Sequence, residues 1–210
     1  MTRDRKENSP ARALALGLFG IALLNLLAAT FDNIWYAVGI NHVIMLPLAL
    51  WALGDARREW LRINARVLLL GAFWGGFLLA GTFATLLFLR WLDPALYATA
   101  MAPMSMKDKV PAWLAISLLL IPIIPGEEIV WRGAVMLPLT QRFGQVAGVS
   151  AAAIMFTCAH LMLGSGSLLF AAMVLGVFWG IVTLFTRSLV AAVLCHLIWD
   201  LVMLFVWPNL

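Results

Sequence analysis

Long apolar segments separated by short polar connections constrain the fold of this chain more than any other feature. About 20 helical residues are needed to cross the roughly 30 Å hydrocarbon core of a bilayer. Seven segments approach that length, at residues 13–30, 34–53, 67–89, 110–137, 146–163, 168–186 and 189–206. Because backbone groups in lipid must be hydrogen-bonded within their own segment, each is predicted to be a helix. The sequence therefore predicts an all-α polytopic membrane protein, a bundle of about seven transmembrane helices. An eighth span or a re-entrant piece near residues 91–106 remains an alternative.

The composition supports a membrane protein and disfavours other classes. Hydrophobic residues make up 64% of the chain and charged residues 11%, against roughly 45–50% and 25% in globular domains. The net charge is +4, but the basic residues lie in short runs between apolar segments, so no nucleic-acid partner is expected. We expect a single integral membrane domain over residues 1–210, with N-terminal spans at 13–110 and a core at 111–205.

The distribution of basic residues predicts the orientation. With the N-terminus inside, the inner connections collect Arg3, Arg5, Lys6, Arg12, Arg57, Arg58, Arg62, Arg66, Arg142 and Arg187. The outer connections keep only Arg90, Lys107 and Lys109. An excess of Lys and Arg marks the cytoplasmic side, so the N-terminus is expected there and, with seven spans, the C-terminus outside.

Three charges interrupt an apolar run that is otherwise free of charge between residues 110 and 139: Glu127, Glu128 and Arg132. Charged side chains at bilayer depth cost roughly 2.5–3.5 kcal/mol each, which makes a functional role the first hypothesis. Glu128 and Arg132 share a helix face at i, i+4 and are predicted to pair. Glu127 then remains on a neighbouring face.

Two further pairs lie one helical turn apart in later segments, Phe156 with His160 and His196 with Asp200. A glutamate in an apolar site suits a general base near neutral pH, and an imidazole beside it could share the attacking water. A second histidine, oriented by a carboxylate four residues on, could donate to an oxyanion. No serine or cysteine has a nucleophile signature, so water is the expected attacker.

The catalytic candidates are thus Glu127, His160, His196 and Asp200, with Glu128, Arg132 and Phe156 shaping the site. Structural alternatives stay open: Glu128 with Arg132 as an ion pair alone, and either histidine alone as a core residue bonded to a backbone carbonyl. His42 has no polar partner at turn spacing and is expected to be a core or interfacial histidine.

The ordered motifs resemble those of the type II CAAX prenyl endopeptidases and their bacterial relatives, the bacteriocin-processing and self-immunity (CPBP, Abi) proteins. The matching residues are Glu127-Glu128-x-x-x-Arg132, Phe156-x-x-x-His160 and His196-x-x-x-Asp200, each on its own segment. A proline precedes the glutamates, and residues 188–192, Ser-Leu-Val-Ala-Ala, lead into His196. The resemblance covers residues 111–205 and suggests a bacterial cytoplasmic membrane.

The resemblance implies that Glu127 and His160 activate water, while His196 and residue 200 stabilise the oxyanion. The last motif of the family often ends in asparagine, a neutral donor, whereas an ionised Asp200 cannot donate. Asp200 is then protonated, orients His196, or helps to hold a metal. Glu127, His160, His196 and Asp200 offer oxygen and nitrogen ligands that suit zinc, and the need for zinc or another divalent metal stays open.

The resemblance implies an intramembrane endopeptidase whose partner is a peptide, or the terminus of a membrane-associated and in some cases prenylated protein. Two alternatives remain: a non-proteolytic bacteriocin-immunity or assembly factor, and a small proton-coupled transporter. One expectation conflicts with a shared site. Counted at about 1.5 Å per residue from the predicted span ends, Glu127 falls toward the inner side and His160 toward the outer side.

Overall fold

The computed structural model describes residues 9–207 as helices joined by short connections, with no strand in that range. The helices are α1 Pro10–Thr30, α2 Ile34–Leu53, α3 Arg57–Trp60, α4 Ala65–Leu92, α5 Pro94–Met101, α6 Ala112–Phe143, α7 Gln145–Ala159, α8 Gly166–Thr186 and α9 Leu189–Val206. Turns of 3₁₀ helix occupy Gly54–Ala56, Ala102–Lys109 and Leu161–Leu163. Arg3, Arg5 and Lys6, used above to predict orientation, lie outside the described residues.

Six of the helices are long and apolar enough to cross a membrane: α1, α2 with its extension to Trp60, α4, α6, α8 and α9. The chain is therefore an all-α polytopic membrane protein, as predicted. The fifth predicted segment forms only the 15-residue helix α7. The connection at residues 93–111 forms α5 and a 3₁₀ turn rather than an eighth span. The boundary between N-terminal spans and a core at residue 111 remains a prediction.

Helix α6 is 32 residues long and contains two stretches of π-helix, Leu119–Ile123 and Glu128–Met136. The first contains Pro122, and Pro125 follows within the next turn. Proline lacks the N–H that an α-helix needs, and a wider register accommodates it without breaking the helix. The second π stretch begins directly after Glu127, so the backbone register changes at the charged motif.

Helices α6 and α7 form a tight antiparallel hairpin around Gly144. That residue has φ of +88°, which favours glycine, and it caps the end of α6. At Gly148, a Cβ atom would lie 2.5 Å from the backbone nitrogen of Thr140, so only glycine permits this approach. The hairpin fixes the height of residues on α7 relative to those on α6.

Candidate active site

Glu127 and His160 lie at the same depth in the bundle. Glu127 is 16 residues before Phe143, the end of α6 (143 − 127), and His160 is 16 residues after Gly144 (160 − 144). At about 1.5 Å per residue, both lie about 24 Å from the hairpin turn. The expectation that they fall on opposite sides of the membrane is wrong, because α6 extends six residues beyond the predicted end at 137 (143 − 137) and α7 ends before 163.

His160 is held in one tautomer by the end of its own helix. Its Nδ1 lies 2.8 Å from the carbonyl oxygen of Phe156, which can only accept, so Nδ1 carries the proton. The other ring nitrogen, Nε2, lies 3.8 Å from Oε1 of Glu127. Phe156 also contacts the ring itself, with centroids 4.5 Å apart. The buried His160 thus presents Nε2 to a buried carboxylate.

Asn25 of α1 fixes the turn that contains His160. Its Nδ2 donates to the carbonyl of Cys158 at 3.0 Å, and its Oδ1 accepts from the backbone N–H of Met162 at 2.9 Å. The same amide donates to its own helix at Ile21. These bonds satisfy backbone groups at the end of α7, where the helix itself cannot. One side chain therefore clamps the chain on both sides of His160.

His196 of α9 lies between three carboxylates. Its Nδ1 is 2.8 Å from Oε1 of Glu128, while its Nε2 is 3.8 Å from Oε2 of Glu127 and 3.5 Å from Oδ1 of Asp200. The sequence suggested that Asp200, one turn away, would orient this ring. The short hydrogen bond is instead the one that Nδ1 donates to Glu128, because only that carboxylate lies on the Nδ1 edge.

Glu128 and Arg132 form the ion pair that their spacing predicts, with Nη1 and Oε1 3.2 Å apart and both side chains buried. The guanidinium also donates through Nη2 to the carbonyl of Gly176 at 3.3 Å. It lies 4.6 Å from the ring centroid of Phe156 and 5.3 Å from that of Trp179. Cation–π contacts of this kind stabilise a desolvated cation by about 2 kcal/mol or more. Arg132 thus connects α6 to α8.

Trp179 of α8 stacks on the ring of His196, with centroids 3.4 Å apart and planes at 19°. This residue and Asn25 were missed by the sequence analysis. Neither has a charged partner at turn spacing, and tryptophan is common in apolar segments. The one available signal was that Asn25 is polar within an apolar span. The stacked ring closes one face of His196 and leaves its nitrogen edges to the carboxylates.

His42 is a buried core histidine, as expected, and its Nδ1 donates to the carbonyl of Val38 at 2.9 Å. A Cβ on Gly126 would lie 2.8 Å from this ring. The glycine next to Glu127 therefore allows α2 to pack directly behind the site.

A partly open cavity of about 520 Å³ adjoins the buried polar residues. Glu127, His160, His196 and Asp200 all contribute to its wall. The remainder is mostly apolar and comes from α2, α4, α6, α7, α8, α9, the turn after α7 and the connection at residues 93–111. The volume lies in the range of sites that bind small molecules or a few side chains.

The metal candidates of the sequence, Glu127, His160, His196 and Asp200, lie together at this wall, and whether the reaction needs a metal stays open. Among the described residues, no group of three or more His, Cys, Asp or Glu side chains is placed to hold a metal ion. Both Nδ1 atoms are engaged by hydrogen bonds, and Nε2 of each histidine faces Glu127 at 3.8 Å, a separation that one intervening atom, such as a water oxygen, can bridge.

Comparison with known proteins gives one family match. Residues 108–202 match the family model described as type II CAAX prenyl endopeptidase, Rce1-like. The matched range contains every residue of the three motifs and agrees within three residues at each end with the 111–205 range of the resemblance (111 − 108 and 205 − 202). No curated protein and no solved structure gives a match.

Proposed function

Since residues 108–202 match the Rce1-like family model of type II CAAX prenyl endopeptidases, we propose that this chain is an active intramembrane endopeptidase. It hydrolyses a peptide, or the terminus of a membrane-associated protein, prenylated termini included, by an activated water. One observation carries the proposal. Each carboxylate oxygen of Glu127 faces a histidine Nε2 at 3.8 Å, from two different helices, at the wall of the cavity.

The attacking water binds between Glu127 and His160. A separation of 3.8 Å is too long for a direct hydrogen bond, yet one water can lie about 2.8 Å from both atoms. Glu127 takes one proton as general base, and Nε2 of His160, which carries no proton in this tautomer, accepts a hydrogen bond from the second. The water oxygen then attacks the scissile carbonyl carbon.

His196 stabilises the oxyanion that forms. Its Nδ1 proton is committed to Glu128, so the donor to the oxyanion is a second proton on Nε2, next to Asp200, and His196 acts as an imidazolium among the three carboxylates. Removing one donor of this kind from an acyl-transfer enzyme costs about 10²–10³ in kcat. As the C–N bond breaks, Glu127 returns its proton to the departing amine, which balances the hydrolysis.

The cavity accepts an apolar part of the substrate. Its wall beside Glu127 is mostly hydrophobic, including Phe77, Leu86, Phe178 and Met203. Binding energy from such remote contacts can hold the scissile bond against the water. A prenyl chain or apolar side chains next to the cleavage site fit this surface.

We place the protein in a bacterial cytoplasmic membrane with its N-terminus in the cytoplasm. The basic connections support this orientation: Arg57, Arg58, Arg62, Arg66 and Arg187 lie at the same end of the bundle as the N-terminus of α1. Lys and Arg in short loops are retained on the cytoplasmic side.

Cleavage by purified protein tests the proposal. Glu127→Gln preserves shape and removes the base, so turnover of a peptide that the unsubstituted protein cleaves should fall by about 10²–10⁴. Glu59→Gln, on the exposed α3, is the matched control and should retain full activity. If Glu127→Gln cleaves at the unsubstituted rate, the proposed mechanism is wrong. If the protein confers bacteriocin immunity and that immunity survives Glu127→Gln, binding rather than proteolysis is the function.

A further inference from the structure

The two ends of the bundle differ in charge and in packing. One end, the basic end, contains the start of α1, the connection between α2 and α4, the hairpin turn at Gly144, and the turn between α8 and α9. The opposite end contains the turn between α1 and α2, residues 93–111, and the turn between α7 and α8. Because consecutive long helices run in opposite directions, every second connection lies at the same end of the bundle.

Basic residues are concentrated at the first of these ends. Among residues 9–207, the basic end has Arg12, Arg57, Arg58, Arg62, Arg66, Arg142 and Arg187, against the acidic Asp55 and Glu59. The opposite end has Arg90, Lys107 and Lys109, against Asp32, Asp93 and Asp108. The excess of Lys and Arg assigns the basic end to the cytoplasm, as the orientation rule requires.

The cytoplasmic half of the bundle is closed beneath the site. Every residue of α6 from Gly126 to Leu139 is buried, and this stretch runs from Glu127 toward the basic end. Trp131 and Arg132, two of the largest fully buried side chains, fill the layer directly below the glutamates. A peptide entering from the cytoplasm would have to displace this packed core over about 24 Å.

The cavity lies in the other half. Its lining from α2 is limited to Ile34, Trp35 and Val38, at the start of that helix, and its lining from α4 begins only at Phe77. Pro103, Met104 and Met106 of the outer connection also contribute to its wall. That connection is tied down by Trp35, whose Nε1 donates to the carbonyl of Met106 at 2.7 Å.

We propose that this site cleaves polypeptides presented on the extracytoplasmic side of the membrane. The substrate class is a translocated peptide, or the outer end of a membrane protein, with apolar residues beside the scissile bond. Because the basic end is closed, the inference narrows the proposed substrate class: a terminus that stays in the cytoplasm cannot reach Glu127, and a prenyl chain would have to be presented from the outer side. This inference rests on the proposed function for its chemistry, but its geometry can be tested without activity.

The geometric arm uses cysteine labelling in intact cells with a membrane-impermeant maleimide. Ser105→Cys, in the outer connection, should be labelled, and so should Gly81→Cys, which lines the cavity where a Cβ has open space. Asp55→Cys, exposed at the basic end, should be labelled only after permeabilisation. The unsubstituted protein, in which Cys158 is half-buried and Cys195 buried, gives the background labelling to be subtracted. Labelling of Asp55→Cys alone in intact cells would overturn the proposal.

The catalytic arm uses sealed membrane vesicles and an impermeant, internally quenched apolar peptide that the detergent-solubilised protein cleaves. Right-side-out vesicles should cleave it, and inverted vesicles should show only the residual rate of Glu127→Gln until detergent opens them. Cleavage by inverted vesicles alone would contradict the outward site. Failure in detergent as well as in vesicles would instead refute the proposed function, while the labelling result would still decide which way the cavity faces.

Discussion

Nδ1 of His196 donates a 2.8 Å hydrogen bond to Oε1 of Glu128, the same oxygen that lies 3.2 Å from Nη1 of Arg132. One carboxylate oxygen thus connects a buried cation on its own helix to an imidazole on α9. The second glutamate of the motif is therefore more than a charge partner for Arg132. It orients the histidine whose other nitrogen faces Glu127.

Breaking this connection should destabilise the fold. Glu128→Gln leaves Arg132 buried without a counter-charge, which costs about 3–5 kcal/mol when a buried ion pair loses one partner. Thermal unfolding in detergent, followed by circular dichroism, should show a clear loss of stability. Glu128→Gln combined with Arg132→Met removes both charges and should recover part of it. A double variant as unstable as the sum of the two single variants would contradict the pairing.

Asn25 is expected to act as a positioning residue. Asn25→Leu removes the bonds to Cys158 and Met162 and frees the turn that contains His160, so kcat should fall by about tenfold or more while KM changes little. The control is Asn64→Ala, which removes the N-cap of α4 at the distant basic end and should lower the free energy of unfolding by about 1 kcal/mol. That control should leave kcat unchanged. Equal losses of kcat in both variants would show that Asn25 acts only through stability.

Asp200 tests how the oxyanion is stabilised. Its Oδ1 lies 3.5 Å from Nε2 of His196, the oxyanion donor. An asparagine amide has the same size and could donate to the oxyanion beside that nitrogen. Asp200→Asn should therefore retain activity within about tenfold, whereas Asp200→Leu, which removes the polar group, should lose about 10²–10³ in kcat. If asparagine is as damaging as leucine, the negative charge itself is required.

The hairpin of α6 and α7 shows where sequence reasoning succeeds and where it fails. The apolar segments located every long helix, with Ile34–Leu53 predicted at its observed bounds, because hydrophobic length is a direct consequence of bilayer thickness. The predicted depth of Glu127 relative to His160 was wrong. Residues 138–143 include both apolar and polar side chains, so hydrophobicity did not indicate that α6 continues through them. Depth depends on where a helix turns, and here the turn is determined by Gly144 and the close packing at Gly148.

The site residues could be proposed from spacing and family resemblance, but their contacts could not. Residues one turn apart predict a pair within a helix, as for Glu128 and Arg132. Contacts between helices, such as the hydrogen bonds of Asn25 to the end of α7 and the stacking of Trp179 on His196, depend on how helices pack in three dimensions. Hydrophobicity patterns do not contain that information when every face of a helix is apolar.

Metal independence is a separate prediction. Because the described histidine and carboxylate groups are not arranged as metal ligands, dialysis against EDTA or 1,10-phenanthroline should leave the cleavage rate unchanged. An inert analogue of the second chelator, 1,7-phenanthroline, controls for its apolar character. Activity that is lost with EDTA or 1,10-phenanthroline, kept with 1,7-phenanthroline and restored by zinc would contradict the prediction. The reaction would then require a metal and a different arrangement of these side chains.

The most direct test of the mechanism is whether Glu127 and His160 act on the same water. The rate constants kcat/KM should be measured for Glu127→Gln, His160→Gln and the double variant, on one peptide that the unsubstituted protein cleaves. Residues that work as a unit show strongly non-additive losses. We expect the double variant to be no slower than the slower single variant. Losses that multiply in the double variant would show that the two side chains act independently, and would contradict a shared water between them.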